Sequence, residues 1–305
     1  MKSKRNKTID FPISEGKKYL ERVKTEKTFK NNDVNVTVNG DAFKIIEKLK
    51  DKSVDLLIVD PPYDMNKAFH GNNFKKLGIE KYTEYTKDWI EKVKPKLKDT
   101  ASIYVCCDWY SSIAIGKILD ESFILRNRIT WEREKGRGAS KNWKNCLEDV
   151  YFATVSNEYT FNLDAVKVRK KVLAPYKENG KPKDWVDGEN GKYRYTCPSN
   201  VWCDIAIPYW SMPENTAHPT QKPEKLIAKL ILASSNEKDL VLDIFSGSGT
   251  TGVVAKKLNR KFIDIEQNEL YCAWAESRLE KADTDKSIQG YVDGVFYERN
   301  SKPNK

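Results

Sequence analysis

Asp60, Pro61, Pro62 and Tyr63 follow directly on the apolar run Val54–Val59, and this order of residue types makes a site of acceptors. Consecutive prolines remove two backbone donors and fix φ, which leaves the Asp60 carboxylate and the Pro61 carbonyl as acceptors at a strand end. A primary amine has two N–H groups to satisfy both, and the Tyr63 ring can stack on the planar base that carries it. An amine nitrogen that attacks a methyl group loses conjugation with its ring and gains positive charge. A carboxylate and a carbonyl then stabilise the transition state more than the ground state. The bland alternative is a loop in which prolines merely end a strand.

A second constellation lies far along the chain. In Val241–Thr251 an apolar strand enters Gly247-Ser248-Gly249 and then a helix with Val253, Val254 and Leu258 on its inner side. Glycine permits close backbone approach to a ligand, and such a turn at the carboxyl end of a strand is where open parallel sheets hold nucleotide-like ligands. One strand later, Glu266 stands where a carboxylate can accept hydrogen bonds from both ribose hydroxyls. Alone, the Gly-x-Gly turn is equally a tight strand-to-helix connection; together with Glu266 it points to a nucleoside-bearing ligand. No GxGxxG and no Walker lysine occurs, which counts against NAD and ATP.

The elements that must position these residues alternate. Phe43, Ile45, Ile46 and Leu49 have helical spacing, and the strand Val54–Val59 and a helix from Thr83 to Leu97 with Trp89, Ile90 and Val93 inward come next. Then come strand Ala101–Cys107, helix Ser111–Leu119, and strands Ile124–Trp131 and Val150–Val155. From His218 the pattern resumes with helix Glu224–Ser234, strand Leu240–Ile244, helix Thr250–Leu258, strand Lys261–Ile265 and helix Asn268–Lys281. Such alternation predicts an α/β fold, a parallel sheet with helices on both faces. The first residues predict a basic arm with one short helix, Ser14–Lys24, and those from Ala282 a loose tail.

At 305 residues, 39% hydrophobic, the chain is expected to bury one core and carry an insertion. A net charge of +10 and a pI near 9.0 fit a polyanionic partner as well as a solvated lysine-rich surface. Six cysteines without a CxxC pair, and two histidines, predict reduced thiols and no metal site. No run approaches the ~20 apolar residues of a membrane span, and the N-terminus lacks a leader pattern; a soluble, intracellular protein is expected.

In the order DPPY, HPTQKP and FSGSGTT, the chain resembles the β-group of amino-methylating DNA methyltransferases of the S-adenosylmethionine-dependent class I fold, over about two-thirds of its length. The resemblance implies a Rossmann-like sheet with circularly permuted motif order. It implies Asp60, Pro61, Pro62 and Tyr63 as the catalytic motif. The methionine end of S-adenosylmethionine would be lined by Asp243, Phe245, Ser246, Gly247, Ser248, Gly249 and Thr250, with Asp60 also beside the cofactor. Glu266 would hold its ribose, Asp41 would lie near its adenine, and Thr220 and Lys222 would bind its carboxylate. The chain departs from the family at Ile244, where proline is usual, and at Asp64, where asparagine is common and which adds a carboxylate near the target base.

The resemblance also divides the chain: a basic arm (1–34), a catalytic half (35–156), a target-recognition region (157–217), a cofactor half (218–281) and a tail (282–305). Arg133, Lys135, Arg137, Lys141 and Lys144, with Trp143, form a basic loop suited to phosphates near a flipped base; a solvated loop is the alternative. In the aromatic and basic insertion, Lys167, Arg169, Lys170 and Lys171 form the densest cluster. The expected reaction is methylation of the 6-amino group of adenine in double-stranded DNA, within a restriction–modification system. The alternatives are cytosine 4-amino methylation and an inactive DNA-binding relative. A homodimer, a cognate endonuclease and a prokaryotic or phage cytoplasm complete the expectation.

Overall fold

A computed structural model describes residues 3–69, 72–74, 76–133, 140–188 and 191–299, the side chains of 67–69 and 72–74 excepted. Its centre is a nine-stranded sheet in the order Lys24–Thr25, Val36–Asn39, Lys261–Glu266, Leu240–Asp243, Val54–Val59, Leu97–Cys107, Leu147–Thr154, Ile124–Glu132 and Val201–Trp202. Leu147–Thr154 alone among these runs against both its neighbours. The 14 residues between it and Ile124–Glu132 carry no helix among those described, and a connection without a crossover helix suits an antiparallel pair.

The central strand Val54–Val59 explains its own composition. Leu57 and Val59 enter one core with Ile45, Trp89, Ile90 and Ile115, from helices Ala42–Lys48, Ile79–Val93 and Ser112–Ser122. Leu56 and Ile58 enter the other with Leu226, Leu230 and Val253, from helices Glu224–Ser234 and Thr250–Lys257. A strand covered on both faces has no polar side to keep. The fold is thus α/β, a mostly parallel sheet with helices on both faces and an added small sheet.

Chain order makes the switch point. After Val54–Val59 the chain builds outward one way; it returns at Leu240–Asp243, paired in parallel register with Val54–Val59 (Val241 with Leu56, Leu242 with Leu57), then builds the other way to Lys261–Glu266. The carboxyl ends of two central strands, one carrying Asp60 and the other the glycine-rich turn, therefore open on one crevice.

Two terminal expectations need correction. The N-terminal segment lies against the domain instead of projecting from it: Ile9 is buried with Tyr271 and Trp274, and the Trp274 indole donates to the Phe11 carbonyl at 3.1 Å. Its helix is Ile13–Leu20, and Lys24 instead opens the edge strand. Residues 282–299 are no loose tail, since Ile288, Phe296 and Tyr297 are buried. Val295–Tyr297 pairs in parallel with Val168–Lys171 and completes a five-stranded sheet with Val186–Gly188, Gly191–Thr196 and Tyr291–Val292. Phe296 joins the second core, which accounts for the fit of this hairpin.

Candidate active site

At the switch point lies a cavity of about 460 Å³, lined by Asp60, Pro61, Pro62, Tyr63, Asp41, Thr220, Lys222, Asp243, Phe245, Ser246, Gly247, Ser248, Thr250 and Glu266. Of the catalytic and cofactor residues expected from the sequence, only Gly249 is absent from this lining. It sits one step behind, as the left-handed residue (φ 73°) that opens helix Thr250–Lys257, and a Cβ there would lie 2.5 Å from that of Ala275. Gly247 (φ 53°) faces the ring of His218, 2.9 Å from where a Cβ would stand. A side chain at either position meets both backbone strain and a neighbour.

Asp243 shapes the glycine-rich turn. Its carboxylate accepts from the Phe245 N–H at 3.0 Å and the Thr251 hydroxyl at 2.6 Å, and burial pushes its pKa up to about 7. Glu266 reaches back from the next strand and accepts from the Gly247 N–H at 3.0 Å and the Asn268 N–H at 2.7 Å. Burial raises Glu266 to about 7, against the pull of those two N–H groups. The Phe245 ring is set edge-on to Trp89 at 6.4 Å. The buried hydroxyls of Ser246 and Ser248, at the same cavity, have no hydrogen-bond partner. Buried polar atoms left open in this way suit a polar ligand.

On the other wall, the DPPY segment is pinned by its neighbours. The Tyr82 hydroxyl donates to the Pro62 carbonyl at 2.9 Å. The Tyr63 hydroxyl donates to Asp60 Oδ1 at 2.7 Å, and burial first, then Asp60, pushes its pKa well up. The Lys222 ammonium lies 2.6 Å from Asp60 Oδ2 and 3.3 Å from Glu148 Oε2, over the Tyr63 ring. Burial lowers this ammonium's pKa, but Asp60 and Glu148 more than offset that and hold it above its ordinary value. Asp64 turns away from the cavity. It is buried and accepts from the N–H groups of Leu77 and Gly78, so the departure at this position puts no carboxylate at the crevice.

Glu148 is the site residue that the sequence did not disclose. Because Leu147–Thr154 runs antiparallel, its amino end reaches the sheet edge at which the parallel strands finish, and Glu148 arrives beside Asp60. Arg133 Nη1 donates to Glu148 Oε1 at 2.6 Å, so Arg133, expected on phosphate, is engaged inside the site. Lys135 and Arg137 lie outside the described residues. Lys141 and Lys144 are exposed beside Trp143, which is 92% exposed. In the insertion, Lys167 is paired with Asp164 at 2.6 Å, and the Arg169 guanidinium stacks on Tyr193 at 3.8 Å and faces Tyr297 at 5.7 Å. Lys170 and Lys171 are exposed. Among the described residues there is no His, Cys, Asp or Glu group that could hold a metal ion and no helix long and apolar enough to cross a membrane.

A switch-point cavity with a carboxylate-proline-proline wall and a glycine-rich wall defines a class of group-transfer enzymes that bind a nucleoside ligand. Comparison with known proteins names the family. The family model described as DNA methylase (N6_N4_Mtase) matches residues 54–277. Type II methyltransferase M.HpaI of Haemophilus parainfluenzae is 35% identical over 244 residues, covering 79% of this chain and 73% of the relative. DNA adenine methyltransferase YhdJ of Escherichia coli K12 is 34% identical over 273 residues, covering 86% and 88%. The crystal structure of the M1.HpyAVI–SAM complex superposes with a TM-score of 0.55 at 25% identity, covering 80% of this chain and 98% of that one. This chain belongs to the DNA methylase family.

Proposed function

We propose that this protein transfers a methyl group from S-adenosylmethionine to the exocyclic 6-amino group of adenine at a specific site in double-stranded DNA, as a β-group enzyme. The observation that carries the reading is that Asp60 and Glu266 line one cavity from opposite sides of the switch point. The cofactor fits what is present: a cavity of about 460 Å³, a carboxylate where a ribose would lie, and two buried serine hydroxyls without partners. S-adenosylmethionine, when bound, supplies an electrophilic methyl group on a sulfonium sulfur. Glu266 would hold its ribose, Asp41 would lie by its adenine, and Asp243, Phe245, Ser246, Gly247, Ser248, Thr250 and Thr220 would surround its methionine end, with Gly249 shaping the turn. Asp60 and the Pro61 carbonyl would accept the two N–H groups of the target amine, and Tyr63 would stack on the base. Asp at the head of the motif, and the adenine methyltransferase name of YhdJ, favour adenine over cytosine.

Sequencing DNA from an expressing host with a method that detects modified bases tests this directly. We expect 6-methyladenine at one fixed motif. Methyl groups on cytosine would overturn the choice of base, and unmodified DNA together with no tritium transfer from labelled cofactor would leave a DNA-binding relative without activity. The name Type II methyltransferase borne by relatives supports a cognate endonuclease as partner. A homodimer belongs to the same reading, and sedimentation would test it.

Glu266→Ala is expected to weaken S-adenosylmethionine binding about 10- to 100-fold, since charge-assisted bonds to two hydroxyls are worth roughly 1.5 to 3 kcal/mol. The wild type should show a related pH effect. The ligand favours the ionised carboxylate, so affinity should fall as the pH drops through about 7, the value to which burial raises Glu266. Calorimetry on both proteins across this range checks the two together; equal affinities would remove Glu266 from the site.

For DNA, the reading keeps a target-recognition region at 157–217 and adds the C-terminal strands that share its sheet. The phosphate contacts then fall to Lys170 and Lys171, since Lys167 is paired and Arg169 stacked. Changing Lys167, Arg169, Lys170 and Lys171 to Gln should flatten the slope of log affinity against log salt by up to about 0.9 per lost contact, with cofactor binding intact. A salt slope equal to wild type would shift the phosphate surface to the loop carrying Lys141 and Lys144.

A further inference from the structure

The Asp60 carboxylate and the Tyr63 ring, two of the groups that would recognise a target amine and its base, already hold an amine of the protein's own. Asp60 has both oxygens engaged, Oδ1 by the Tyr63 hydroxyl at 2.7 Å and Oδ2 by the Lys222 ammonium at 2.6 Å. That ammonium also lies over the Tyr63 ring, 5.4 Å from its centroid. A cation against the carboxylate and above the aromatic face stands where the amine of a stacked base would stand. We propose that Lys222 occupies the target-amine position in the DNA-free enzyme and swings onto Glu148 when the base enters. This deepens the proposed function and rests on that reading.

The surroundings fit such a hand-over. Glu148 Oε2 is 3.3 Å from the ammonium and 3.4 Å from the Tyr63 hydroxyl, while Arg133 pins the other oxygen of Glu148, so the acceptor is in place before the move. The Lys222 backbone is fixed, its carbonyl accepting from the Thr250 hydroxyl at 3.1 Å, which confines the motion to the side chain. Lys222 lines both the main cavity and a smaller one of about 90 Å³ that Glu148, Arg133 and Trp131 also line, and this second space gives the side chain room. The physical logic is charge balance. A half-buried carboxylate with no cation beside it is costly, so a resident cation suits the empty enzyme. During transfer the amine nitrogen itself becomes positive, and an ammonium still on Asp60 would repel it. Glu148 is then a positioning residue that acts through Lys222.

The test compares two duplexes carrying the enzyme's own motif, one with adenine at the target and one with purine there, which lacks the 6-amino group. Binding of both is measured without cofactor, and the ratio of the affinities reads amine recognition alone. Glu148→Gln weakens the competing hold on Lys222, so the preference for adenine should fall by about tenfold, the scale of one charge-assisted bond. Lys222→Met removes the competitor, so the preference should rise above wild type, and the double variant should recover what Glu148→Gln loses. Single-turnover methylation at saturating cofactor should follow the same order for Glu148→Gln and the double variant. A double variant no better than Glu148→Gln, or a preference unmoved or lowered by Lys222→Met, overturns the proposal. Should Glu148→Gln fail to bind cofactor, and so fail as a folded protein, Lys222→Met decides alone. If the wild type methylates no DNA, the functional reading falls instead.

Discussion

Asp60→Ala is expected to reduce methyl transfer by at least ~10²–10³-fold while leaving cofactor affinity within about tenfold. The barrier should rise by about 3 to 4 kcal/mol, the scale of losing one oriented contact to developing charge in a site closed to water. The sign follows from the reaction. Positive charge grows on the amine nitrogen, and Asp60 is the carboxylate at the end of the central strand, at the wall opposite the glycine-rich turn. The variant should fold, because Lys222 keeps Glu148 as a partner 3.3 Å away once Asp60 is gone, so no buried cation is stranded. Tritium transfer in a single turnover, with calorimetry of cofactor binding beside it, separates loss of chemistry from loss of structure. Near-normal turnover would remove Asp60 from the catalytic role.

Local features of the chain disclosed most of this site, and the reason is physical. Val54–Val59 is readable because a strand buried on both faces is almost wholly apolar, Asp55 alone being polar and paired with Lys98. The glycine-rich turn is readable because two positive φ angles demand glycine. Glu148 had no such local mark. What brings it to Asp60 is the reversed direction of one strand, a property of pairing across the sheet, and the strand was read from Val150 when it begins at Leu147. The C-terminal hairpin did carry a signal. Asp293 and Gly294 both have φ > 0 between Tyr291–Val292 and Val295–Tyr297, the Asp-Gly turn that closes tight hairpins, and with flanking aromatics it argues against a tail. Lys222 shows a different limit. Its motif marked it as a site residue, but which anion the ammonium meets depends on Asp60 and Glu148, which come from the ends of two separate strands.

The brace beneath the glycine-rich turn sets the second large effect. Arg278 is buried, and its guanidinium donates to the Ser248 carbonyl at 2.8 Å, the Thr250 hydroxyl at 2.9 Å and Glu224 at 3.0 Å. One side chain of helix Glu269–Lys281 thus ties the turn to the start of helix Glu224–Ser234, whose Glu224 also holds Lys257 at 2.6 Å. Arg278→Met keeps volume and removes the fork, leaving a buried carbonyl without its donor and Glu224 with one cation where it had two. Breaking a buried pair from one side costs about 3 to 5 kcal/mol, which in a chain of this size lowers Tm by roughly 5–10 °C. Arg278→Lys should fall between, since an ammonium keeps the charge but cannot reach carbonyl, hydroxyl and carboxylate together. Cofactor affinity should drop in the same order, because Ser248 and Thr250 line the cavity whose shape the brace maintains. Thermal melts of the three proteins, each with and without S-adenosylmethionine, check both effects. An Arg278→Met protein that melts with wild type would mean that the cluster's attractions only offset the cost of burying its charges, and that the turn holds its shape through Asp243 and the glycines alone.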